Sequence, residues 1–267
     1  MERTLTGNDR EIVILGAGNV ATHLAINLAR HARISQIYNH NMQGAKALAA
    51  KVGSEPIDDL GALSHTAGLY IISVKDDAVA EIASALKGFG GLWAHTSGSV
   101  PMNALSPLSD TYGVFYPMQT FSKDVDVDMR EVPLFIEGNS ADTTERLKQY
   151  ASLISDKVYE ADSERRAKLH IAAVFACNFT NRLWDISARL LKELGLEFDT
   201  MKPLVEAMLT KACDVTPHEG QTGPARRKDM KIIQKHLDML DGEEKELYSI
   251  LSESIIKQYY PDEQDKL

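Results

Sequence analysis

The stretch Ile12-Val13-Ile14-Leu15-Gly16-Ala17-Gly18-Asn19-Val20-Ala21 constrains the fold more than any other. Four apolar residues meet a glycine-spaced loop directly, and an amphipathic segment follows at once. A G-x-G-x-x-G/A match gains weight when a strand precedes it, a helix follows it and it lies near the chain start. Gly16 allows the tight turn. Gly18 lets the backbone approach a pyrophosphate, and Ala21 needs only to be small for helix–strand packing. The helix start then offers N–H groups and partial positive charge to phosphate. Ala17, Asn19 and Val20 complete the candidate cradle. A structural turn, or a methyltransferase or flavin site, can use the same kind of loop.

Alternation along the chain favours the cradle. Ile12–Leu15 reads as a strand and Val20–Leu28 as a helix. Ile34–Tyr38 is the next strand and Gln43–Val52 an Ala-rich helix. Strands follow at Leu69–Val74 and Leu92–His95, with a helix at Ala78–Leu86 between them. Met102–Leu108 reads as a short helix and Gly113–Tyr116 as a strand. Val132–Ile136 and Val158–Tyr159 are strand candidates flanking a helix at Ala141–Ile154. Such alternation implies an α/β fold of Rossmann type, a doubly wound and mostly parallel sheet. From Ser163 to Leu194 the chain runs without Gly or Pro. Helices are expected there and at Asp199–Cys213, Ala225–Leu240 and Glu243–Gln258. The expected domains are therefore 1–161, binding a dinucleotide, and 162–267, all helical.

Composition narrows the function. The chain has 267 residues, 44% hydrophobic and 25% charged, as in a soluble protein with a sizeable core. Its net charge of −9 argues against nucleic acid or an anionic membrane as partner. Two cysteines, Cys177 and Cys213, make neither a disulfide framework nor a metal-ligand pattern. They fit a reducing cytoplasm. The N-terminus is polar, without a signal-peptide core. No apolar run reaches the roughly 20 residues of a membrane span.

The end of the second strand bears on the cofactor. NAD enzymes usually carry Asp or Glu about 20 residues after the glycines, to hold the ribose 2′-OH. Here Tyr38-Asn39-His40-Asn41 has no acid, which permits a 2′-phosphate. Asn39 is a donor to that phosphate, and His40 or Lys46 a source of charge. NADP is expected over NAD.

Later stretches resemble one superfamily. Val74-Lys75 closes a strand as a similar dipeptide does in pyrroline-5-carboxylate reductases. His95-Thr96-Ser97-Gly98-Ser99 is similar to the Ser-Gly segment of 6-phosphogluconate and hydroxyisobutyrate dehydrogenases. Tyr116-Pro117-Met118-Gln119-Thr120-Phe121 stands where prephenate dehydrogenases carry a His-Pro segment. The pieces GAGNVA, IISVKDD, HTSGSVPM, GVFYPMQTFS, LHIAAVFACNFTN and QTGPARRKD together resemble a bacterial family of two-domain NADP oxidoreductases. That family joins a Rossmann domain to a helical domain of unknown function. The resemblance implies a nicotinamide cofactor, with Val74 beside it, and a homodimer built through the helical domains.

Ligands of such folds collect beyond the carboxyl ends of the strands. Lys75, Ser97, Gly98 and Gln119 are expected there. Lys75 is read as a candidate catalytic group or a solvated surface lysine. Ser97 and Gln119 are read as substrate donors or as loop caps. On the long helix, at about 100° per residue, His170, Cys177 and Asn181 share a stripe that Asn178 widens. Related dehydrogenases place a catalytic lysine and asparagine on their equivalent helix. Here Lys168 points away from Asn181, so His170 is the expected proton donor, with a core histidine as the alternative. In Gln221–Asp229, Thr222 is expected to cap a helix entered through Gly223 and Pro224. The resemblance selects Arg227, there, as the holder of an anion. The expected activity is NADP-dependent hydride transfer to or from a small anionic carbonyl, imine or alcohol. A nucleotide-binding sensor without turnover would keep Gly16 and Gly18 but need no proton donor.

Overall fold

In the computed structural model, which describes residues 7–261, eight strands form one sheet in the order β3-β2-β1-β4-β5-β6-β7-β8. They are β1 Glu11–Leu15, β2 Arg33–Tyr38, β3 Glu55–Ile57, β4 Leu69–Ile72, β5 Leu92–His95, β6 Thr111–Pro117, β7 Leu134–Gly138 and β8 Val158–Glu160. The polar start read at residues 1–6 lies outside the described residues. β1 sits mid-sheet and is buried on both faces, which explains its unbroken apolar run. Its side chains alternate between two cores. Ile12 and Ile14 pack with Leu24, Leu28 and Phe115, while Val13 and Leu15 pack with Tyr70, Val79 and Trp93.

Four helices connect these strands: α1 Asn19–Leu28, α2 Met42–Val52, α3 Asp76–Ala85 and α4 Ala141–Ser152. The sheet is of Rossmann type and parallel except at one pair. β7 runs antiparallel to β6. The segment between them, 118–133, holds only a short 3-10 turn, Met129–Glu131, so no crossover helix carries the chain back. Three further details differ from expectation. Val74 falls outside β4, Met102–Leu105 is a 3-10 turn, and β3 is too short to show periodicity.

The chain divides into two compact units, 1–178 and 179–267. The expected boundary at 161/162 marks where helix begins. Compact packing instead keeps α5, Ser163–Ala173, with the sheet, because its Arg166 is buried against β7. The unit boundary falls in a π-helical segment, Val174–Phe179. The expected helix 163–194 is thus interrupted by a change of winding.

The second unit contains α6 Thr180–Glu193, α7 Lys202–Asp214, α8 Pro217–Gly220, α9 Met230–Leu237 and α10 Gly242–Tyr259. The helix expected to begin at Ala225 begins at Met230. Its cap is Asp229, whose carboxylate accepts the Ile232 N–H at 3.2 Å, and not Thr222. Residues 221–228 form loop and turn, with Lys228 at a positive φ of 54°. No described helix is long and apolar enough to cross a membrane.

Candidate cofactor and substrate site

The two glycines of the opening loop do different work. Gly16 has φ +122°, and a Cβ there would stand 2.0 Å from the Ser73 carbonyl oxygen. Its N–H donates to the Tyr38 carbonyl at 2.7 Å. Gly16 is therefore fixed by close approach of two strands. Gly18 is the N-cap of α1, in extended conformation, and a Cβ there meets nothing within 4 Å.

No side chain caps α1 or α3, whereas Asn41 caps α2, Ser140 caps α4 and Asp162 caps α5. The first N–H groups of a helix have no intrahelical acceptor and need another partner. An uncapped first turn beside open space at Gly18 is what a pyrophosphate requires. Ala17 and Ala21 are buried, and Asn19 donates through Nδ2 to the Phe121 carbonyl at 2.9 Å. That bond ties the loop after β6 to the start of α1. Val20 packs against the core.

The end of β2 is less free of acid than its own residues indicate. Asn39 spends one amide hydrogen on the Asn41 carbonyl at 2.9 Å, and His40 is exposed. Burial pushes the Tyr38 phenol up, and Asp59 and Asp58 push it further. Two carboxylates of the segment after β3 thus act on the end of β2.

Three loops end at the carboxyl edge of the parallel strands. After β4, Val74 is half-buried and Lys75 is the exposed N-cap of α3, in no ion pair among the described residues. After β5, Ser97 Oγ accepts the N–H groups of Ser99 and Val100 at 3.1 and 3.0 Å, organising its own turn. After β6, Gln119 is exposed and its Oε1 accepts the Thr120 N–H at 2.8 Å.

α5 brings His170 to this edge. Its Nδ1 lies 3.1 Å from Tyr116 Oη, and Gly98 packs flat beside the ring. A Cβ on Gly98 would be 2.6 Å from Nδ1, so only glycine admits the imidazole there. A cleft of about 520 Å³ opens beside the pair, lined by Tyr116, Met118, Gln119, His170 and residues as far as Asn178. No Lys, Arg, Asp or Glu lines it; its walls include Leu169, Ala172, Ala173 and Val174. Such a site suits an apolar body with few polar anchors.

The expected helical stripe is broken in part. In the π-helical segment hydrogen bonds run to the fifth residue, so constant α-helical spacing from His170 to Asn181 does not hold. Cys177 and Asn178 line the same cleft as His170. Asn181 is exposed in the second unit.

Behind the pair lies a buried polar cluster that the sequence did not reveal. Arg166 is 1% exposed and pairs with Glu137 of β7. It also donates to the Val100 carbonyl. Ser163 donates to the same Glu137 carboxylate at 2.9 and 3.0 Å. Burial pushes the Tyr116 phenol up, with Arg166 pulling the other way. His95 is fully buried and its pKa falls to about 4, through desolvation first and Arg166 second. Its Nδ1 accepts the Ser97 N–H at 3.2 Å, while no hydrogen bond of good geometry reaches Nε2, although the Pro101 carbonyl favours the charged form. Neither Arg166 nor Glu137 stands in a motif or an apolar period, so only tertiary structure reveals their pairing.

In the second unit, Gln221, Thr222, Gly223, Arg226, Arg227 and Tyr260 line an open depression. Arg226 stacks 4.1 Å from the Tyr259 ring centre, and Lys228 lies 5.5 Å from that of Tyr260. Arg227 is exposed and in no ion pair among the described residues.

Over 94% of this chain and 99% of the other, the sequence is 46% identical to a Bacteroides fragilis protein whose crystal structure is described as a "putative NADP oxidoreductase", with a TM-score of 0.87. The chain belongs to that protein's family. Residues 132–255 match the family description "Domain of unknown function (DUF2520)". That match begins at Val132, so the family's segment includes β7, α4 and β8 as well as helices. More distant members of the fold include a Streptococcus pyogenes 1-pyrroline-5-carboxylate reductase, 12% identical, covering 94% of this chain and 98% of that one, at TM-score 0.64. A reductive aminase from Aspergillus terreus in complex with NADPH4, cyclohexanone and allyl amine is 15% identical, covers 85% and 77%, and has a TM-score of 0.60. Among curated proteins none matches.

Proposed function

We propose that the protein is an NADP-dependent oxidoreductase that moves hydride to or from a small carbonyl, imine or alcohol. The uncapped start of α1 beside the open space at Gly18 carries this reading. The residues present fit a dinucleotide: the first-turn N–H groups of α1 would hold the pyrophosphate, and Asn39 and His40 the 2′-phosphate. Bound there, the nicotinamide supplies the hydride.

The chain's own residues supply the rest. His170 gives or takes the proton, Gln119 and Asn178 orient the substrate, and the apolar wall at Leu169–Val174 keeps water out. Ser97 shapes the turn that sets Gly98 against His170. Lys75 is the second candidate donor at the same edge of the sheet. Arg227, with Thr222 and Gly223 beside it, is the proposed holder of an anionic group on the substrate, and Asn181 a further polar contact. Exposed apolar side chains of the second unit support a homodimer. Free Cys177 and Cys213 support a reducing cytoplasm.

The test combines binding and turnover. Wild type should bind NADPH in calorimetry and consume it with some member of a panel of oxo acids, ketones and imines. In His170→Gln, single-turnover hydride transfer should fall by at least about 10²-fold with cofactor affinity unchanged. Tight NADPH binding with no turnover across the panel would leave only a nucleotide sensor.

A further inference from the structure

We propose that Tyr116 fixes His170 in the tautomer that carries its proton on Nε2, so that the cleft meets a neutral hydrogen-bond donor. The use of that donor rests on the oxidoreductase reading; its geometry does not. Tyr116 is 7% exposed, so its phenolic proton is best satisfied by an acceptor inside the protein. Among the described residues its hydroxyl has one hydrogen-bond partner, His170 Nδ1. Were Nδ1 protonated, it would donate to the hydroxyl, and the phenolic proton would have no acceptor among the described residues. The satisfied arrangement has Tyr116 donating and Nδ1 accepting, which leaves the proton on Nε2.

Two neighbours hold this arrangement. Gly98 lies so close that a Cβ would be 2.6 Å from Nδ1 and 2.7 Å from Cγ, which confines the ring. Burial keeps the phenol protonated and so a donor, with the Arg166 charge pulling the other way. A neutral imidazole is suited to polarising a carbonyl through one N–H. In a reduction, hydride adds to carbon and the C=O electron pair moves to oxygen. The oxygen takes the Nε2 proton while Nδ1 takes the phenolic one. The imidazole ends neutral, and the phenolate, which burial disfavours and the Arg166 charge favours, takes a proton back from water. An alkoxide is more basic than a phenolate, so the transfer runs toward Tyr116. Tyr116 is thus a positioning residue that acts through His170.

Nitrogen NMR on histidine-labelled, full-length protein without cofactor tests the tautomer in mildly alkaline buffer. His170→Gln identifies the signal. Wild type should show a bare Nδ1 and a protonated Nε2, and Tyr116→Phe should relax His170 to a mixture of both tautomers. Circular dichroism and NADPH affinity should be unchanged in Tyr116→Phe. A protonated Nδ1 in wild type overturns the proposal, whatever the variant does. So does a folded Tyr116→Phe protein with an unaltered tautomer. Failure to bind NADPH in calorimetry would overturn the oxidoreductase reading and leave the tautomer result standing.

Discussion

Ile12, Val13, Ile14 and Leu15 in the first unit are each 0% exposed, whereas Leu204, Leu209 and Ile250 in the second are 66%, 61% and 63% exposed. The sheet unit buries its apolar residues in two layers, one on each face. In the helical unit the buried apolar residues are Leu191, Ala225 and Ile233 among those described. Helices α7 and α10 have apolar side chains, none of them buried. A sheet covered on both faces completes its own core. The helical unit instead leaves large apolar side chains such as Leu204, Leu209 and Ile250 on its surface.

Truncation should separate the two cases most sharply. Ile14→Ala should lower unfolding free energy by about 2–5 kcal/mol, measured by urea titration at any protein concentration. Leu204→Ala should change a monomer by less than about 0.5 kcal/mol. If a second copy covers that face, its effect will grow under dimer-forming conditions, and wild-type melting will rise with concentration. A monomer in sedimentation with concentration-independent melting would break the contrast.

Acid should act on the sheet unit through His95. Its pKa is about 4 in the fold against 6.5 for the free side chain, so the unfolded chain binds more protons between these values. His95 therefore carries no penalty above pH 6.5, and stability is lost as pH falls from 6.5 toward 4. The full loss is about 3 kcal/mol. Denaturation profiles of wild type and His95→Gln should converge in slope above that window and diverge within it. Parallel profiles throughout would mean that His95 titrates normally.

Cofactor binding should also belong to the sheet unit. Gly18→Val fills the open space at the start of α1, so NADPH affinity should fall at least about 10²-fold, roughly 2.7 kcal/mol, with the fold intact. Equal affinity in a folded variant would remove the cradle. The smallest effect is expected at β2. Asn39→Asp should shift the NADPH-to-NADH preference toward NADH by about tenfold, or 1.4 kcal/mol. Wild type already preferring NADH would instead point to Asp58 and Asp59, the carboxylates near Tyr38.

The sheet unit's main strands, its glycine loop and its helices are legible in residue order, because period-two and period-3.6 burial leave a direct imprint on it. The sequence also singled out Gly98, Gln119, His170 and Asn178 one by one, as candidates without a shared site. It missed β3 for its shortness, the antiparallel β7 because direction depends on the connection, and the start of α9 because Asp229 is a better cap than Thr222. It placed Cys177 and Asn181 on one stripe because a local change to π-helical winding leaves no mark in hydrophobic spacing. Only the tertiary structure joined Gly98 to His170 to Tyr116, and Arg166 to Glu137. Those partners are 72 and 54 residues apart in one case and 29 in the other, from the positions of Gly98, Tyr116 and Glu137. Contacts between distant, singly occurring polar residues follow from how the sheet and α5 pack, and no local pattern encodes them.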